Sequence, residues 1–99
     1  MRDDFFKTGY SVIKNIDKTT DALYQRKPEA DGMLQIVIKQ IMLFSQLLAD
    51  ENIENKAELL HGWAQSNSNL MDAIEQSDII MTADVLHHEV RPLIKEFVD

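Results

Sequence analysis

The sequence predicts an all-α protein, an antiparallel four-helix bundle in one domain spanning residues 1–99. Three observations carry that prediction. Four segments place apolar residues at helical spacing, and short polar joints separate them. Nothing alternates with the period of two that a half-buried strand requires. One segment, residues 33–48, is large and apolar at eleven of its sixteen positions. A helix so apolar over its circumference is expected to be buried on more than one side, so it is the expected centre of the bundle.

The first helix is expected to start at Asp3 and Asp4, whose charges suit the positive end of a helix dipole. Phe5, Phe6, Gly9, Val12, Ile13, Ile16, Thr20 and Leu23 line its apolar face. Gly9 lies on that face, where a missing side chain lets a neighbouring helix approach. Gln25-Arg26-Lys27-Pro28 ends the helix, because the residue before a proline is pushed toward extended geometry. Leu34, Val37, Ile41, Phe44 and Leu48 form the main face of the central helix, which stops near Ala49 to Asn52.

The third helix begins between Asn52 and Asn55. Its predicted stripe is Leu60, Trp63, Ala64, Asn67, Leu70, Met71 and Ile74. Ser66-Asn67-Ser68-Asn69 is a weak helical run, but the apolar phase continues through it, so one unbroken helix is expected. Asn67 interrupts the stripe and needs hydrogen-bond partners if buried. Gln76-Ser77-Asp78 is the last joint, with Ser77 or Asp78 as N-cap. The final helix uses Ile79, Ala83, Leu86, Val90, Leu93, Ile94 and Phe97. Pro92 stands inside it, removing a donor and crowding the preceding turn, so the last helix is expected to kink near Pro92, at Glu89 to Arg91.

Composition bounds the function. The chain has no cysteine, hence no disulfide framework and no thiolate chemistry. Its opening residues lack the apolar run of a signal peptide, and a cytoplasmic home is the expectation. A net charge of −7 disfavours nucleic acid, whose phosphates reward clustered cations. It also disfavours an anionic membrane surface. The central segment, at sixteen residues with Lys39 and Gln40 inside, is read as shorter and more polar than a bilayer span.

Two carboxylate-x-x-His pairs, Glu58 with His61 and Asp84 with His87, have the spacing used by di-metal bundles. Those ligands must project inward. Glu58 points nearly opposite the stripe of its helix, and Asp84 lies about 120–140° from the centre of its own. No metal and no cofactor are expected. His87, His88 and Glu89 lack the pocket and oriented partner that acid–base catalysis needs, and no Gly-rich phosphate loop or nucleophile motif accompanies them. The protein is expected not to be an enzyme. Trp63 reads as a core anchor whose indole N–H reaches the edge.

Some apolar surface is surplus to a bundle. Ile36, Leu43 and Leu47 lie to one side of the central helix's main face. Met81 and Val85 lie away from the inward stripe of the last helix. Surplus of this kind marks a protein partner, and these five residues are the candidate contact. The simplest closed way to cover Met81 and Val85 is a two-fold homodimer.

The run Leu70-Met-Asp-Ala-Ile-Glu-Gln-Ser-Asp78, followed by Asp84-Val-Leu-His-His-Glu-Val-Arg-Pro-Leu-Ile-Lys-Glu-Phe97, resembles the last two helices of FliS-like flagellar export chaperones. The matching residues are Leu70, Ala73, Asp78, Leu86 and Leu93, within under a third of the chain. The same stretch is similar to small uncharacterised bacterial helical domains. The resemblance implies a cytoplasmic bundle that binds a helical partner, and no binding residue is carried over from it. The functional expectation is a non-enzymatic interaction module, chaperone-like or motility-associated. The alternative is a small acidic inhibitor or immunity-type protein that neutralises a basic partner.

Overall fold

In a computed structural model of the chain, residues 2–99 are described, with side chains from Asp4 onward; the expected role of the Asp3 carboxylate lies outside them. The helices are α1 (Arg2–Tyr24), α2 (Ala30–Ala49) and α3 (Lys56–Glu75). A fourth rod is built from α4 (Ile79–Val85), one stretch of π-helix (Leu86–Val90) and α5 (Arg91–Val98). Among the described residues there is no strand. The fold is the antiparallel four-helix bundle that the apolar spacing predicts. α3 runs unbroken through Ser66 to Asn69, and Asn67 is satisfied on its own helix, its Nδ2 donating to the Trp63 carbonyl at 2.7 Å. Asp78 is the N-cap of α4, its Oδ1 accepting from the Met81 N–H at 3.0 Å.

The centre of the bundle is not α2. α2 buries a single face, Ala30, Leu34, Val37, Ile41, Phe44 and Leu48, and it packs its backbone closely only on α1. The fourth rod lies between α1 and α3, and α1 in turn lies between α2 and that rod. Ala83, Leu86, Val90 and Ile94 are all fully buried along it. Apolar content told how much surface could be buried. It did not tell how many neighbours each helix would have.

The stripe of α3 is also rotated from the predicted one. Trp63, Ser66, Leu70 and Ala73 are buried, whereas Ala64 and Met71 are exposed. Small Ser66 and Ala73 occupy the α3 seam with the fourth rod, where short side chains let two helices approach.

At Glu89 to Arg91, where a kink was predicted, the winding changes. The Arg91 N–H bonds the Leu86 carbonyl, five residues back. Pro92, which lacks an N–H and crowds the preceding turn, follows directly on this wider turn, and the backbone at Val90 and Arg91 stays helical.

One end of the bundle is filled by aromatics, one from each helix. Phe5 stacks on Phe44 with centroids 5.0 Å apart, and Trp63 meets Phe44 and Phe97 edge-on at 5.6 and 5.9 Å. The indole N–H of Trp63 donates to Ser45 Oγ at 2.9 Å, joining α3 to α2. Lys56 Nζ donates to the carbonyls of Ala49 and Glu51 and so closes the C-terminal end of α2.

Polar clasps hold the seam between α1 and the fourth rod. Tyr10 donates to Asp99 at 2.9 Å, Arg91 Nε donates to Asp17 at 2.7 Å, and Tyr24 donates to Asp84 at 2.5 Å. Their α1 members recur every seven residues, which returns them to nearly the same side of a helix. The hydrogen bond to a carboxylate is the main cause that raises both tyrosine pKa values above the ordinary range.

Candidate docking surface

The five predicted contact residues do not form one patch. Ile36 and Leu43 are 56% and 47% exposed, on the same strip of α2, with half-buried Leu47 continuing it. At about 100° per residue the strip lies some 100–140° from the centre of the buried face, on the flank beside α1. That side is fixed by Gln40, on the same flank, whose Oε1 accepts from Asn15 of α1 at 2.9 Å. From Ile36 to Leu47 the strip spans roughly 16 Å along the axis.

Met81 is 49% exposed, but on the opposite half of the bundle, beside the α3–α4 joint. Val85 is a correction: it is buried, at 3% exposure. It was assigned to the surface because it lies off the stripe through Leu86 and Val90. The fourth rod has two buried flanks, and Val85 belongs to the one facing α3, where Asn69 and Ala73 adjoin it. A dimer contact through Val85 is therefore ruled out in this fold.

Met42 and Met71, methionines whose spacing suits either core gap-filling or an adaptable contact surface, are 59% and 47% exposed and so do not fill the core, and Ile79 and Ile80 are 39% exposed each. Met42 stands on the far flank of α2 from Ile36. Its exposure follows from α2 burying a single face.

Charge is divided between the two halves of the chain. Residues 1–49 carry +1 and residues 50–99 carry −8. The α2 strip therefore lies in the non-acidic half. Lys39 stands between Ile36 and Leu43 in sequence and is exposed, as are Lys7, Lys14 and Lys18 on the outer side of α1. The acidic half has a groove along α3 and α4 lined by Asn69, Asp72, Asp78, Met81 and Glu89. Asn69 Nδ2 donates to Glu89 there at 2.8 Å.

His61, His87 and His88 are all exposed, and the rings of His87 and His88 meet edge to face at 4.6 Å. Glu58 is exposed, and Asp84 accepts from Tyr24. Among the described residues no three His, Asp or Glu side chains converge as a metal site. One inference from length needs revising. At twenty residues, α2 has the length and apolarity of a membrane span. Of its apolar window 28% is buried, Val37, Phe44 and Leu48 fully so, while Ile36, Met42 and Leu43 are exposed.

Comparison with family models, curated proteins and solved structures returns no match.

Proposed function

We propose that this chain is a non-enzymatic protein-interaction module whose α2 strip receives an amphipathic helix from another protein. The observation that supports it is the pairing of Ile36 with Leu43. Two large aliphatic side chains, each about half exposed, stand on one strip of a helix whose core face is already satisfied. A helix laid along α1 and α2 would bury both. Lys39 and the α1 lysines favour acidic flanks on that helix. The resemblance of the last two helices to FliS-like export chaperones fits a cytoplasmic, chaperone-like or motility-associated adaptor.

A specific observation also favours the second reading, an acidic inhibitor-like protein. The −8 charge of residues 50–99 and the groove at Asp72, Asp78 and Glu89 suit a basic partner. The two readings use opposite sides of the bundle. A second copy of the chain is a further occupant for the α2 strip, in place of a dimer through Val85.

Capture from the source cell, with Ile36→Glu/Leu43→Glu beside Asp72→Asn/Glu89→Gln, separates these readings. Loss of the captured protein only with the α2 variant supports the adaptor. Loss only with the α3 variant supports the acidic inhibitor. Sedimentation of the unmodified chain reports the dimer.

A further inference from the structure

The end of the bundle opposite the aromatic cluster is open. There the α1–α2 joint meets the α3–α4 joint around a cleft of about 320 Å³. Its floor is apolar, made by Leu23, Ala30, Leu34, Ile74, Ile79 and Thr82. The volume is at the lower end of the roughly 300–1,000 Å³ typical of small-ligand sites. No aromatic residue stands among these lining positions.

Arg26 and Lys27 stand at the mouth. Both are exposed, and neither side chain has an ion-pair partner among the described residues, where Arg91–Asp17 is the one salt bridge. α2 starts beside them, at Glu29, with no side-chain cap on its first turn. The Glu29 carboxylate at that start offsets the positive end of the helix, so the cations at the mouth are Arg26 and Lys27 themselves. Asp31 is the one carboxylate lining the cleft. In a chain of net charge −7, an apolar cavity with a cationic mouth is a local inversion of the overall charge.

The backbone at this rim is unusual as well. Arg26 (φ 53) and Ser77 (φ 55) both take left-handed conformations, and both line the cleft. Each closes its helix with the paired bonds of a Schellman turn. Arg26 N–H bonds Leu23 O and Lys27 N–H bonds Ala22 O; Ser77 N–H bonds Ile74 O and Asp78 N–H bonds Ala73 O. Glycine is the residue favoured there, and an arginine holds the place beside the cavity.

We propose that this cleft binds a small monocarboxylate with an unbranched apolar tail, the tail on the Leu23–Leu34–Ile74 floor and the carboxylate between Arg26 and Lys27. Arg26 presents paired N–H donors to the carboxylate, and Lys27 adds a point charge.

Octanoate, octanol and octylammonium are titrated into the ¹⁵N-labelled full chain below their aggregation concentrations. Octanoate is expected to shift the amides of Leu23, Ala30, Ile74 and Thr82 saturably, and octylammonium to leave them in place. Arg26→Gly keeps the helix end, since glycine suits the left-handed position. It is expected to weaken octanoate on the order of tenfold while retaining the spectrum of a folded chain. Lys27→Gln is expected to weaken it less. Octanol binding as tightly as octanoate, no saturable shift, or an Arg26→Gly affinity equal to the parent's overturns the proposal.

Discussion

Gly9 of α1 and Val98 of α5 stand so close that a Cβ on Gly9 would lie 2.5 Å from Val98 Cγ1 and 3.1 Å from Phe44 Cε1. The first contact is far inside van der Waals range, and Phe44 is fully buried among other rings. Gly9→Ala is therefore expected to destabilise the bundle by roughly 1–3 kcal/mol, the usual cost of overpacking. Helix propensity alone would favour alanine by about 1 kcal/mol. Gly32 is the control, since a Cβ there meets nothing within 4 Å. Gly32→Ala should stabilise. Urea unfolding of both variants checks the pair, and the same sign for both would contradict the packing account.

The two left-handed helix ends give an opposite prediction. Ser77 holds φ 55 without a glycine's freedom. A left-handed conformation costs a non-glycine residue about 1–2 kcal/mol, so Ser77→Gly is expected to raise stability by about 1 kcal/mol, after allowing for glycine's greater unfolded freedom. For a domain of this size that is roughly 4–8 °C in Tm. A Tm unchanged or lowered would mean the joint is held by something other than its backbone bonds.

The clasp between Tyr24 and Asp84 makes stability depend on alkaline pH. The hydrogen bond to the carboxylate raises the Tyr24 pKa above its ordinary value near 10. A raised folded pKa means that the contribution is complete below the ordinary tyrosine range. It is lost as pH rises through the folded value. Thermal melts of the parent and Tyr24→Phe between pH 8 and pH 11 test this. The parent's advantage over the variant should shrink toward the alkaline end. Parallel curves would show that the clasp contributes nothing.

How far the sequence could be read follows from these residues. Four helices, their joints and the Asp78 cap were legible because period and capping are local properties. Gly9 was legible because it stood on an apolar stripe with nothing of its own to bury. Trp63 was read as a core anchor for the same kind of reason. The neighbours were not legible. Apolar residues over most of α2 suggested a central helix, yet α2 packs its backbone closely on α1, while α1 and the fourth rod each have two such neighbours. Val85 was misassigned by the same error, since one stripe was allotted to a helix that buries two flanks. The cleft was invisible for a different reason. Leu23, Leu34 and Ile74 come from three helices, and no spacing within one segment reports their meeting.

The Ile36–Leu43 strip of α2 is proposed to meet another protein. Photo-crosslinking in the source cell tests it most directly, with benzoylphenylalanine placed at Leu43 in one protein and at Asp72 in a second. A covalent adduct with a different polypeptide is expected from position 43 and none from position 72. Adducts from position 72 alone, or from neither position, would contradict it.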